Sequence, residues 1–232
     1  METKTRPGLT GNQLKILAMI TMTCDHVGLY LLPQFPVLRI LGRLAMPIYA
    51  YMIAQGCRHT HDRRRYLLRL LGLGLLCQTV YYAVEGSLYQ CILMTFSLSV
   101  ALIWGMDAAV RRPDPARIVT AVGLFAAAVF LCQILPKLLP GTDYAVDYGL
   151  LGVLLPVLVF CGENRRQELL LLAVGLAALA VSLGGIQWWS LAALPLLALY
   201  NGRKGSYPLG RLFYIYYPLH LAVIYGIGWL MG

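Results

Sequence analysis

The sequence predicts an all-α integral membrane protein, a polytopic bundle of about nine spans (eight to ten) with its N-terminus in the cytoplasm. Three observations carry this expectation. Of 232 residues, 59% are hydrophobic and only 12% charged, more apolar surface than one water-soluble core of this size uses. The apolar residues fall in runs of near-spanning length separated by Pro, Gly and charge, and mean hydropathy is +0.68. Lys and Arg gather in every second connection.

Taken in order, the apolar runs are 13–32, 38–57, 66–84, 88–110, 117–135, 147–162, 168–184, 187–200 and 211–231. The first has neither the short apolar core nor the small-residue cleavage site of a signal peptide, so it is expected to stay as a span. Several runs lie near the lower length limit. Gly184-Gly185 separates the seventh from the eighth, which read either as two short helices or as one broken, partly re-entrant unit. The ninth carries Pro218 inside it.

Orientation follows from the cations. Lys4, Arg6 and Lys15 precede or open the first run, Arg58 to Arg65 follow the second, and Arg111, Arg112 and Arg117 follow the fourth. Arg165 and Arg166 follow the sixth; Arg203, Lys204 and Arg211 separate the eighth from the ninth. The alternate connections 33–37, 85–87, 136–146 and 184–187 are nearly free of basic residues. This pattern puts the N-terminus in the cytoplasm and the C-terminus outside, with an odd number of spans in the cytoplasmic membrane. It also explains the net charge of +9 without a nucleic-acid partner. Anionic membrane lipids are the expected surface partner. The six cysteines lie in or at the ends of apolar runs with no CxxC spacing, and read as small buried hydrophobes. No repeat, low-complexity tract or long linker divides the chain, so residues 1–232 are expected to form a single domain.

Ionisable residues inside these runs are the candidates for chemistry, because a hydrocarbon core strongly disfavours an isolated charge. Asp25 and His26 are adjacent in the first run. Lys15 lies eleven residues before His26, almost three whole helical turns, so the two share a face with Met19 and Met22, roughly 16 Å apart along the axis. A neighbouring carboxylate can hold an imidazole in one tautomer and stabilise its protonated form, which suits a general base. Adjacent helical residues point about 100° apart, however, so Asp25 has a second option in an arginine. Arg39 and Arg43, an i,i+4 pair opening the second run, sit at the matching depth if that run returns antiparallel. They suit pairing with Asp25 or capture of a substrate carboxylate or phosphate; Pro47 would free a backbone carbonyl near Arg43. A structural polar cluster that glues helices is the plain alternative.

The stretch from Arg58 to Tyr66 is the most basic part of the chain. It reads as a stop signal meeting anionic head groups, or as a docking patch for a phosphorylated cosubstrate through Arg58, Arg63, Arg64 and Arg69. His59 and His61 have no further ligand cluster beside them, and no metal is expected. In the ninth run Tyr216 and His220 are one turn apart on one face, fit either for substrate binding or for helix packing. Asp143, Tyr144, Asp147 and Tyr148 form an acidic, aromatic mouth, with Asp147 placed to cap the sixth helix or to bind an amine.

Five segments carry a resemblance: Lys15 to His26, Leu38 to Tyr51, Arg58 with Tyr66-Leu-Leu-Arg69, Asp147-Tyr-Gly, and Phe213 to Leu221. Together they resemble the TraX family, whose best-known function is N-acetylation of conjugative pilin, and more distantly the type 3 membrane acyltransferases. The latter are marked by an arginine and a histidine separated by ten residues in the first span. Here Lys15 and His26 keep that spacing with lysine in the basic position, which retains the charge and loses the bidentate fork.

The resemblance implies an acetyltransferase that takes acetyl-CoA as acyl donor. Lys15, Arg58, Arg63, Arg64 and Arg69 would contact the nucleotide side. His26 and Asp25 would be catalytic, and Arg39, Arg43, Asp147, Tyr216 and His220 would face the acceptor, a peptide N-terminus, glycan or lipid head group at the outer side. The alternatives are a proton-coupled transporter or channel using Asp25, His26 and His220, and a scaffold without activity.

Overall fold

A membrane-embedded chain must satisfy its backbone internally, and the computed structural model does so with helices throughout. It describes residues 7–206 and 210–231, with residues 210, 211, 213 and 214 as helical backbone alone. Lys4, Arg6 and the side chain of Arg211 therefore lie outside the described residues. No strand occurs among the described residues, only isolated bridges at Leu9–Tyr200 and Gln90–Val146.

The helices are α1 (Gly11–Tyr30), α2 (Pro36–Gly42), α3 (Ala45–His59), α4 (Arg63–Glu85), α5 (Ile92–Arg111), α6 (Pro115–Val129), α7 (Leu135–Leu138), α8 (Gly149–Cys161), α9 (Arg165–Leu183), α10 (Ala193–Ala198) and α11 (Gly210–Met231). Every apolar run of the sequence is helical over most of its length. Pro36–His59, Arg63–Glu85, Ile92–Arg111, Pro115–Leu138 and Arg165–Leu183 are long and apolar enough to cross a bilayer by themselves, while Gly149–Cys161, Gly185–Ala198 and Ile215–Met231 are shorter apolar helices. The 20-residue α1 has the length but not the composition, because Lys15, Thr21, Thr23, Asp25 and His26 all fall within it.

Three interruptions have local causes. The second run breaks into α2 and α3 at Arg43 and Leu44, leaving Pro47 in the first turn of α3, where a missing N–H is tolerated. A π-helical turn, Phe130–Ile134, precedes Pro136, whose ring displaces the regular ladder. After α9, Gly184 and Gly185 both take positive φ, 68° and 53°, which ends the helix, and a 3-10 helix, Gly185–Ala192, leads to α10. Two separate helical segments thus flank Gly184-Gly185, α9 of spanning length and the shorter Gly185–Ala198. The 3-10 helix holds Trp188 and Trp189 outward and buries Gln187 and Ser190.

The chain packs as two compact units, one from residues up to Met52 and from Leu176 onward, the other from Ile53–Gly175. In the first, α1 packs against α2 and α11. Thr10 and Gln13 form a reciprocal capping box at the start of α1. The next free amides are met from afar: Gly11 and Asn12 donate to the carbonyls of Arg203 and Lys204 at 2.7 and 2.9 Å. Leu14, Ala18 and Ile48 are fully buried.

In the second unit α5 is central, with α4, α6 and α8 against it. Hydroxyls join α5 to α8: Ser99 donates to the Val153 carbonyl at 2.7 Å and Thr95 to the Asp147 carbonyl at 2.9 Å. Two ion pairs anchor the basic segment. Buried Asp107 on α5 accepts from Arg63 at 2.7 Å and Arg111 at 2.8 Å. Glu168 on α9, 6% exposed, is paired with Arg58 and accepts from Gln55 at 3.0 Å. Arg58 also donates to the carbonyls of Val159, Phe160 and Gly162 at 3.0, 3.0 and 2.6 Å, closing the C-terminal end of α8.

Removing Arg58 would strand the Glu168 carboxylate in a dry site. Arg58→Ala should therefore cost about 3 kcal/mol in detergent unfolding, and the double variant Arg58→Met, Glu168→Leu should recover the part due to the stranded carboxylate, the carbonyls of Val159, Phe160 and Gly162 still lacking their donor. A single variant as stable as wild type would show that the pair contributes nothing.

Candidate functional site

Adjacent residues on α1 diverge by about 100°, and the first unit uses that divergence to separate Asp25 from His26. Asp25 faces α2. Arg39 donates to its Oδ2 at 2.7 Å and to its carbonyl oxygen at 3.3 Å, while Arg43 is paired with its Oδ1. Gly42 makes room for this. A Cβ on Gly42 would collide with the Asp25 side chain, so the carboxylate lies against the bare backbone between its two arginines. Arg43, 9% exposed, also donates to the Arg39 carbonyl at 3.3 Å and to Gln187 Oε1 at 3.4 Å.

His26 faces α11. Its Nδ1 lies 2.9 Å from the carbonyl of Met22 and 3.2 Å from Nε2 of His220, and the Nδ1 of His220 is 3.0 Å from the Tyr216 carbonyl. These contacts assign N–H to both Nδ1 atoms, since a carbonyl can only accept. His220 Nε2 then accepts from His26, and the lone pair of His26 resides on Nε2. Met22, and not Asp25, orients the imidazole. Tyr216 stacks on His220, ring centroids 5.3 Å apart and planes within 6°, and shares a hydrogen bond with the Thr23 hydroxyl. Ile20, Thr23, Cys24, Val27, Leu38 and Tyr216 line an open groove of about 260 Å³ on a flank of α1. Half-buried Lys15 falls on the same helical face as Met19, Met22 and His26.

The first unit thus gathers six of the residues expected from sequence, Asp25, His26, Arg39, Arg43, Tyr216 and His220, around one turn of α1. The family described as TraX protein matches residues 10–228, nearly the whole chain. The chain belongs to the TraX family. Among its relatives are a protein called probable fimbrial assembly protein FimC, serogroup H1, of Dichelobacter nodosus, 28% identical over 91% of this chain and 93% of that one. Protein TraX of Escherichia coli is 28% identical over 91% of this chain and 84% of its own length, and protein TraX of strain K12 is 27% identical over the same shares. No solved structure matches.

Apart from Lys15, the remaining expected residues of this TraX-family chain lie in the second unit. Arg58 and Arg63 are engaged by Glu168 and Asp107, whereas Arg64 and Arg69 on α4 are exposed. Asp147 does not cap α8. Tyr148 takes the N-cap position with φ 58° and no side-chain cap bond, and Gly149 follows at φ 57°. That left-handed turn carries Asp147 away from the helix start, and its Oδ1 accepts from the Tyr89 hydroxyl at 2.7 Å instead. Asp143 accepts from the Ser87 hydroxyl at 2.5 Å and the Leu88 amide at 2.8 Å; these two bonds hold its carboxyl below the ordinary aspartate range.

Two residues at this site escaped the sequence reading. Gly42 carries no signal of its own, since its importance depends on a side chain from another helix. Gln187 has a faint one: it is a polar residue in a short apolar run directly after Gly184-Gly185.

Gly42→Ala should displace the Asp25 carboxylate, lowering stability by about 3 kcal/mol as a buried charge loses its partners, read by detergent unfolding. An unchanged melt would contradict the tight fit. In the connection before α8 the Asp143 bonds exist while its carboxyl is ionised. They contribute at neutral pH and are lost only as pH falls below the ordinary value of 3.8 through the lower folded one. The Leu88 amide resonance should hold its position down to that point, and a shift at higher pH would be inconsistent.

Proposed function

We propose that this chain is a cytoplasmic-membrane acyltransferase that moves an acetyl group from acetyl-CoA to an amine or hydroxyl acceptor, with His26 as general base. One observation supports this above the others: the imidazole is held through Nδ1 by Met22, which leaves the Nε2 lone pair for proton transfer. His26 Nε2 takes the proton of the acceptor as its nitrogen or oxygen attacks the acetyl carbonyl carbon. A C–N or C–O bond forms, and the carbonyl electron pair moves onto oxygen. When that pair returns, the C–S bond breaks, and the departing thiolate receives the proton from His26 to give CoA thiol.

Within the first unit Lys15 suits a phosphate of the donor, three turns along α1 from the base. Asp25 acts on position only, by locking α1 to α2. In the second unit exposed Arg64 and Arg69 suit anionic groups such as lipid head groups, and Arg58 serves the fold. Among acceptors a peptide N-terminus fits best with a relative named for fimbrial assembly.

A second reading draws on the His26–His220 contact at 3.2 Å, which also suits a proton relay in a transporter. It is the weaker one, because the carboxylate expected in such a relay is occupied by Arg39 and Arg43.

Purified protein with acetyl-CoA and an acceptor peptide should release CoA thiol. His26→Ala should slow release at least 100-fold with the melt unchanged, in line with the roughly 10²–10⁴ contributed by a general base. Lys15→Met should raise KM for acetyl-CoA about tenfold, the value of roughly one charge-assisted bond, and Lys15→Arg should restore it. Proton flux in liposomes without thiol release would favour the relay and refute acyl transfer.

A further inference from the structure

Buried polar atoms in folded proteins almost always have a hydrogen-bond partner, so those that have none call for an explanation. Two such atoms sit together in the first unit. Gln187 is 3% exposed and Ser190 is fully buried, and neither Gln187 Nε2 nor Ser190 Oγ has a partner among the described residues. They are three residues apart on the 3-10 helix Gly185–Ala192, whose period of three stacks side chains i and i+3 on one face. An amide N–H₂ and a hydroxyl are thus carried on one face of this helix.

The pair is tied to the candidate base by a short chain of contacts. Gln187 Oε1 accepts from Arg43 at 3.4 Å, which fixes the amide so that its nitrogen faces away from the guanidinium. Arg43 in turn holds Asp25, the residue before His26. Arg43 already bonds Asp25, Gln187 and the Arg39 carbonyl. Gln187 and Ser190 carry the uncommitted donors. Both are neutral donors, and two such donors in a dry site suit a carbonyl oxygen that gains negative charge.

We propose that Gln187 Nε2 and Ser190 Oγ form the site that receives the carbonyl oxygen of the acyl donor, a thioester. The assignment rests on the acyltransferase reading above. Both groups donate hydrogen bonds without giving up a proton: as the acceptor adds to the carbonyl carbon, the C=O electron pair shifts to the oxygen they hold, and it returns as the C–S bond breaks.

Acetyl-CoA and CoA differ by this carbonyl and its methyl, so their affinities for the purified protein report on the site directly. Wild type should bind acetyl-CoA about tenfold more tightly than CoA, the worth of about one good hydrogen bond. Ser190→Ala and Gln187→Glu should each bring the two ligands to within about twofold of one another, and Ser190→Ala should leave the melting temperature of the ligand-free protein unchanged. Gln187→Glu keeps the shape and the bond to Arg43 while removing the N–H donors, so it tests the site even if Ser190→Ala folds poorly. Equal binding of the two ligands by wild type, or a wild-type preference retained in both variants, would overturn this site and leave the acyltransferase reading standing. Failure of wild type to bind either ligand would remove both.

Discussion

The Asp25 carboxylate, clamped between Arg39 and Arg43 over the bare backbone of Gly42, is the interaction on which the first unit depends. A carboxylate is costly at membrane depth, and α1 is not apolar enough to count as a span by composition. The two arginines turn that liability into the joint between α1 and α2. Both donors come from one short helix, and Arg43 lies at the break before α3, so the kink and the ion cluster reinforce each other. Replacing any one of these three charges leaves the others buried without balance, which is why such clusters resist piecemeal change.

Once Asp25 is committed to α2, the helical rotation of about 100° carries the next residue toward α11. His26 meets His220 and the Met22 carbonyl there, free of the ion cluster though adjacent to it in sequence. The ion cluster and the histidine pair are thus divided between neighbouring positions on one turn. The second unit follows the same economy with its own cations: Arg58 and Arg63 join helices through Glu168 and Asp107, and Arg64 and Arg69 remain at the surface.

How far the sequence reveals this depends on the range of the interaction involved. Apolar runs and their Pro and Gly boundaries are local, so the helices, the break at Gly184-Gly185 and the shared face of Lys15 and His26 could be read directly. The arginine option for Asp25 was legible too, because antiparallel return of the second run fixes the depth of Arg39 and Arg43. Partners distant along the chain were not. Nothing near Arg58 points to Glu168, and the value of Gly42 lies wholly in the side chain it admits. The capping role expected of Asp147 failed on backbone conformation: Tyr148 adopts a left-handed φ of 58°, which non-glycine residues seldom take and no simple pattern announces.

The central claim is that His26 Nε2 is an uncommitted basic nitrogen within reach of a thioester. The most direct measurement is alkylation by bromoacetyl-CoA in a Cys24→Ser background, which removes the neighbouring thiol, followed by mass spectrometry of the peptide containing residue 26. The account predicts carboxymethylation-type label on His26 that excess acetyl-CoA blocks. Label confined to other peptides, or label on His26 that acetyl-CoA leaves undiminished, would contradict it.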